Sequence, residues 1–382
     1  MAGVLIVAER ALPARGGLAV ATSRIAAQAA ARGETVHLVT LSRDVVPGAR
    51  GRVMRGDVVT HPVGVLPRED DSLALLAEHA RELAAEYELD LVHGVYATRA
   101  GYVATLVARR LGIASVVSLR GNDFDRGLFR AQDLPFLEQA VTHAGVATAV
   151  SRALADGAER VFARPVIHVT NSVDPELFRP ERRDGTLAAA LGVGDGAVLG
   201  FVGELREKKG MRFLLPAFAD LLRRRPAHLL LIGGVRDDAA AALRAFEQSA
   251  PEAFGRLHVV DYERDAARLS RLLALCDALV FPALFEGTPN SVLEAMAAGR
   301  PLLATAVGGH LDLIEHGKSG ALLPLSELDR LPQAIEELLD LPEVERDALG
   351  KAARERVAAQ HRPEDESAAY AAVYSEARSR SR

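Results

Sequence analysis

The sequence predicts an α/β protein of two domains, each a doubly wound parallel sheet. Three observations predict it. Short apolar runs alternate with helical stretches along most of the chain, which is the pattern of β-α-β units. The rhythm breaks once, at residues 175–196, where Pro175, Pro180, several glycines and the charged run Glu181, Arg182, Arg183, Asp184 interrupt it. It then restarts over a similar length, and 382 residues suit two domains at roughly 150 residues each.

In the first domain, residues 4–8 are an unbroken apolar run, read as a buried strand. Pro13 to Gly17 form a loop. Residues 18–32 are alanine-rich and helical and stop at Gly33. Residues 35–41 make the next strand. Further strands are expected at 89–93, 113–119, 147–150 and 166–170. Helices are expected at 72–87, 97–111, 134–143 and 151–162, the first capped by Asp71 or Ser72. Residues 175–196 read as the linker region. The second domain offers strands at 197–202, 228–232, 257–260, 278–282, 301–304 and 321–323. Its helices fall at 211–224, 237–250, 266–276, 290–298 and 310–316, and helices close the chain from about residue 328 to 377. Ligands of open parallel sheets bind beyond the carboxyl ends of the strands. Two such sheets facing a central cleft suit a reaction of two substrates.

Composition narrows the function. Hydrophobic residues are 49% and charged residues 25%, enough apolar material for two cores, so disorder is not the default. A formal charge of −5 argues against a general nucleic-acid binder. The single cysteine, Cys276, excludes an intrachain disulfide and a cysteine-based zinc site, and it reads as core. No window approaches about 20 apolar residues, so no stable membrane insertion is expected. The N-terminus has no basic region before its short apolar run. A cytoplasmic protein is the expectation. Arg43, Arg50, Arg52 and Arg55 cluster but do not form an amphipathic helix, which places a lipid partner below a soluble one.

Two stretches carry chemistry in the second domain. Phe285-Glu286-Gly287-Thr288-Pro289-Asn290-Ser291-Val292-Leu293-Glu294 follows a strand and opens a helix. Gly287 permits close backbone approach, Pro289 suits a helix start, and the free N–H groups there suit a phosphate. Glu286 stands at the mouth, and Glu294 lies within the helix, where a carboxylate can hold vicinal hydroxyls. The plain alternative is a surface glutamate and a helix cap. The second stretch is Gly203-Glu204-Leu205-Arg206-Glu207-Lys208-Lys209-Gly210, in which a strand ends at a glycine and a cationic loop leads into a helix. The chain has only four lysines among 46 basic residues, and two stand here side by side. Lysine is a compact cation suited to phosphate.

The first domain is less specific. Gly16-Gly17 lie in the first β-α loop, and no Gly-x-Gly-x-x-Gly follows the first strand, which disfavours a nicotinamide dehydrogenase. Arg120, Asn122 and Asp123 follow one strand and Asn171 another, while His93 ends a third. Each has an ordinary structural alternative, as turn residue or core histidine.

Together these segments resemble a retaining glycosyltransferase of family 4, with the GT-B fold. The resemblance rests on residues 202–210, on Glu286 to Glu294 with Glu-Ala-Met-Ala-Ala-Gly-Arg-Pro at 294–301, and on Gly308-Gly309, Ile314-Glu315-His316-Gly317 and Gly320. Gly16-Gly17, 90–93, 121–123, 149–151 and 171–174 extend it through the first half. It implies an acceptor-binding domain at 1–180, a nucleotide-sugar domain at 181–360, and a closing helix at 361–382 that packs back on the first domain. It implies that Glu294 holds the ribose and Glu286 the donor sugar. Gly287, Thr288, Pro289 and Asn290 would line sugar and diphosphate, with Gly203, Glu204 and Arg206 nearby. Lys209 would bind the diphosphate, and Lys209, Glu286 and Arg120 would form the catalytic set. Gly16, Gly17, His93, Arg120, Asn122, Asp123 and Asn171 would line the acceptor. The donor would be a nucleoside-diphosphate hexose or N-acetylhexosamine, UDP favoured, and the acceptor a small soluble molecule. No cofactor or metal is implied. Two positions depart from the family pattern: Glu204 stands where arginine is frequent, and Arg120 where histidine is frequent. A related enzyme with a phosphate, sulfur or lipid acceptor, and a non-catalytic nucleotide-sugar binder, stand as alternatives.

Overall fold

The computed structural model describes residues 2–381; Met1 and Arg382, the ends of two expected domain ranges, lie outside them. The chain forms two compact units. One runs to Asn171 and regains the segment from Pro363 onward; the other is Ser172–Arg362.

The first unit holds an eight-stranded sheet of β1 (Gly3–Ala8), β2 (Thr35–Ser42), β3 (Val53–Arg55), β4 (Val58–Gly64), β5 (Leu91–Val95), β6 (Ala114–Leu119), β7 (Val146–Ala149) and β8 (Val166–His168). Their order is β3-β4-β2-β1-β5-β6-β7-β8. All neighbours are parallel except β3 and β4. β1 and β5 to β7 are wholly buried, as sheets covered on both faces require.

No strand is expected from the sequence at 42–71, yet β3 and β4 lie there. β4 escapes notice because Pro62 interrupts its apolar run, and proline normally argues against an inner strand. Here β3 pairs only with residues 58–60, so Pro62 lies past its end. The helix expected at 72 begins at Glu69. Asp71 and Ser72 therefore sit in its first turn and do not cap it. Ser72 Oγ instead accepts from the Leu66 amide at 2.9 Å, and Glu69, Asp70 and Asp71 face the positive end of the helix.

The last helix, Pro363–Arg380, belongs to this unit. Tyr370 and Tyr374 are fully buried in one core cluster with Val4, Ile6 and Leu91. Arg24 pairs with Glu366 at 2.6 Å and Arg378 with Asp90 at 2.9 Å.

The second unit holds β9 (Ala197–Val202), β10 (Ala227–Ile232), β11 (Leu257–Val260), β12 (Ala278–Phe281), β13 (Leu302–Thr305) and β14 (Ala321–Leu323). The order β11-β10-β9-β12-β13-β14 is that of a dinucleotide-binding sheet, reversing between β9 and β12. Cys276 is buried, as expected, and burial pushes its thiol up to about 12. The region read as linker is part of this unit. Phe178, Ala188 and Val193 lie in its core, and Gly185–Ala190 is a helix whose first turn Asp184 caps through Leu187 N at 3.0 Å. The break between units thus falls at 171/172, ahead of residue 180.

Candidate active site

At the carboxyl ends of β9, β12 and β13, three loops bond to one another through their backbones. After β9, the turn Glu207–Lys209 leads to Gly210, whose φ is +79°. A Cβ there would lie 1.8 Å from the Pro282 carbonyl oxygen, so only glycine lets this loop abut the end of β12. The Leu284 amide donates to the Lys208 carbonyl at 2.9 Å. After β13, the Gly309 amide donates to the Gly287 carbonyl at 2.8 Å and the Glu286 carbonyl at 3.2 Å. A side chain on Gly308 (φ +43°) would meet the Glu286 carbonyl oxygen at 1.9 Å.

This lattice of backbone bonds sets Glu286 between two lysines. Its Oε2 lies 2.6 Å from Lys209 Nζ and its Oε1 3.7 Å from Lys208 Nζ. Side-chain exposure is 12% for Glu286, 14% for Lys209 and 7% for Lys208. Lys208 Nζ also lies 5.1 Å from the centre of the Phe285 ring, a cation–π distance. Burial alone would raise the Glu286 pKa; the charges of Lys209 and Lys208 outweigh it and hold the carboxyl at about 2.

Asn290 opens the helix Asn290–Ala297 behind Pro289, and no side chain caps that helix end. Asn290 and Glu294 are four residues apart and share a face, and both are half-buried. Asn290 Oδ1 and Arg206 Nε are buried with no hydrogen-bond partner among the described residues. Gly287 and Thr288 are buried in the intervening loop. Gly203 ends β9. Glu204 does not join this group: it is exposed, and Arg236 lies 3.9 Å from its carboxylate.

In the first unit, Gly16 and Gly17 start the helix Gly17–Ala31, again without a side-chain cap. Arg24 of that helix and Arg120 both donate to Asn171 Oδ1, at 3.0 and 2.5 Å. Arg120 also reaches the Tyr370 hydroxyl at 3.5 Å. Asn122 opens the short helix Asn122–Asp125 and is half-buried.

Two expected acceptor residues are structural. His93 is fully buried; Tyr374 Oη lies 2.9 Å from its Nδ1 and Ser118 Oγ 2.7 Å from its Nε2. A ring with both nitrogens engaged inside the core has none left for a substrate. Asp123 is 1% exposed. Its carboxylate accepts from the amides of Ala97, Arg120 and Phe124, so it shapes the loop that carries Arg120.

Residues 15–177 match the family model Glycosyltransferase Family 4, and residues 196–341 match Glycosyl transferases group 1. The D-inositol 3-phosphate glycosyltransferase of Frankia alni is 30% identical over 356 residues, covering 86% of each chain. The chain belongs to glycosyltransferase family 4. This glycosyltransferase is also 26% identical to the N-acetyl-alpha-D-glucosaminyl L-malate synthase of Bacillus anthracis, over 95% of this chain and 94% of that one. Anabaena Alr3699/HepE, solved with UDP and glucose, matches it with a TM-score of 0.81 at 18% identity, over 98% and 100% of the two chains. The fold is GT-B, and the enzyme is a hexosyltransferase acting from a sugar donor.

Some features of the glycosyltransferase were not singled out from its sequence. His310 is buried beside Glu286. Its Nδ1 donates to the Thr305 carbonyl at 2.8 Å. Burial lowers its pKa to about 4, which leaves it neutral at pH 7. Its place immediately after Gly308-Gly309 was the available signal. The Asp-x-Asp triplet Asp123-Phe124-Asp125 was also passed over, and Asp123 is occupied as described. Among the described residues no group of three histidine, cysteine or acidic side chains could hold a metal, and no helix is long and apolar enough to cross a membrane.

Proposed function

We propose that this enzyme moves a hexose or N-acetylhexosamine from a nucleoside-diphosphate sugar, UDP favoured, to a small soluble acceptor with retention of anomeric configuration. The donor belongs to the second unit and the acceptor to the first. One observation carries the reading: Glu286 is held ionised between Lys208 and Lys209, in the loop that opens an uncapped helix end. Uncapped amides and fixed ammonium groups form an anion site.

The chemistry follows from charge. Breaking the anomeric C–O bond leaves negative charge on the diphosphate and an oxocarbenium-like sugar. Lys209, Arg206 and the amides at Asn290 meet that charge, which is usually the largest catalytic contribution. These cations take the place of a metal. The departing phosphate oxygen accepts the acceptor's proton on the same face, so configuration is retained without a protein nucleophile. Glu286 holds donor hydroxyls, and Glu294 holds the ribose. UDP is favoured by the ligand of Alr3699/HepE. A cytoplasmic location completes the proposal.

The test is thermal stabilisation by UDP-, GDP- and ADP-sugars in the presence of EDTA. A ligand of the folded state at 100 times its Kd adds about 2.7 kcal/mol. A UDP-sugar should stabilise the wild type, and Lys209→Ala and Glu294→Ala should abolish the shift. Stabilisation by GDP-sugars alone would replace the base, and a shift that needs added metal would refute metal independence. NMR of the product anomer tests retention.

A further inference from the structure

The first unit carries a cavity of about 200 Å³. It lies at the carboxyl ends of β1 and β2. Glu9, the residue after β1, stands in its wall with Glu69 and Arg99; Leu41, Leu73 and Leu76 supply apolar surface. This is below the roughly 300–1,000 Å³ of sites for drug-sized ligands, so it suits one small ring.

Its charges are unequally matched. Arg99 donates to Asp133 at 2.6 Å and is also paired with Glu69, so its guanidinium is already neutralised. Glu9 accepts from the Thr98 hydroxyl at 2.9 Å and forms no ion pair among the described residues. It is half-buried. An ionised carboxylate is acceptor-only and has room for several donors. Burial raises its pKa, and the nearby Arg99 is shared with Glu69 and Asp133, so Glu9 favours a ligand that brings hydrogen-bond donors. An anion in the cavity would meet the carboxylates of Glu9 and Glu69, while Arg99, the cation in the cavity wall, is already shared with Glu69 and Asp133.

We propose that this cavity is a subsite for the acceptor, in which Glu9 binds the hydroxyl or ammonium donors of a neutral or cationic polyol while Leu41, Leu73 and Leu76 pack on its carbon face. The inference rests on the reading of the first unit as the acceptor unit. It makes Glu9 a specificity-determining residue, and it directs the enzyme away from carboxylate- or phosphate-bearing acceptors at this position.

The test is titration of the whole protein, saturated with UDP, with D-glucosamine, myo-inositol and L-malate, followed by ligand-observed NMR. The expected result is binding of glucosamine and myo-inositol in preference to L-malate. Glu9→Gln should weaken glucosamine at least tenfold, and Leu41→Trp, which fills the cavity, should abolish it. Both variants should keep the thermal shift given by UDP, which shows that they fold. The proposal is overturned if L-malate binds as tightly as glucosamine, if none of the three binds, or if Glu9→Gln leaves glucosamine affinity unchanged. Failure of UDP itself to stabilise any of these proteins would count against the donor reading instead, and the Glu9 comparison would still be decided by the same titrations without UDP.

Discussion

Glu286 is a carboxylate whose environment was set by its neighbours. Desolvation pushes its pKa up, yet Lys209 and Lys208 bring it from 4.5 to about 2. The folded value is below the unfolded one, so the folded state gains stability at pH above 4.5. That gain is lost as pH falls through 2, and its size is on the order of 3 kcal/mol. Lys209→Met should therefore lower stability at pH 7 and shrink the loss seen on acidification from pH 4.5 to 2, as urea titrations would measure. An unchanged acid loss in the variant would show that Lys209 does not set the Glu286 charge. In the proposed function the same lysine stabilises the leaving group. Lys209→Ala should then reduce kcat/KM by about 10²–10³ or more, checked by initial rates of transfer at donor concentrations well below KM. Glu286, Lys209 and the 287–294 run were legible because charge, glycine and helix start coincide within one short segment. His310 offers one sequence signal, its place after Gly308-Gly309, and its packing against Glu286 is decided only when that loop folds.

At the scale of elements, β2, β4 and the Glu69–Glu86 helix bring His37, His61 and His79 together. His37 Nδ1 lies 3.0 Å from His61 Nε2, and the His61 and His79 rings meet edge to face at 5.7 Å. Burial first, then the neighbouring His37, His79 and Arg52, lower His61 to about 4. A histidine with a depressed folded pKa takes up its proton in the unfolded chain first. Its contribution is present above pH 6.5 and is lost progressively as pH falls to about 4, on the order of 3 kcal/mol at the end. His61→Gln should flatten the fall in stability between pH 6.5 and 4, measured by urea unfolding at several pH values. A wild-type slope retained in the variant would assign the acid loss elsewhere. Most of the parallel strands were readable as apolar runs because both their faces are covered. β3 was not: Val53, Met54 and Arg55 are all exposed, so the element exists by pairing with β4 and not by burial.

At the scale of the molecule, the helix Pro363–Arg380 completes the core of the first unit. Tyr374 is fully buried with its hydroxyl on His93. Tyr374→Phe should cost about 1–2 kcal/mol, because it removes a partner of a buried imidazole. Tyr374→Ala should cost about 3–5 kcal/mol through the cavity it opens. Truncation after Arg362 removes Tyr370 and Tyr374 together and leaves Arg24 without Glu366; we expect it to abolish soluble expression. A truncated protein that melts like the full chain would show that the terminal helix is dispensable.

The sequence by itself determined the class of fold, the two-part division, the family and the charged loop around Glu286. Those depend on short-range facts: runs of apolar residues, glycines and prolines at turns, charges within ten positions. Only the tertiary structure decided which polar residues are free to act. By sequence His93 and Asp123 read as residues at strand ends, but His93 lies in the middle of β5 and Asp123 in the short helix after β6, and Tyr374 and the amide of Ala97 occupy them. Those partners come from a helix 281 residues away for His93 and a loop 26 residues earlier for Asp123. A polar group's availability is set by what desolvates it and bonds to it, and those neighbours are chosen by the fold and not by the local spacing.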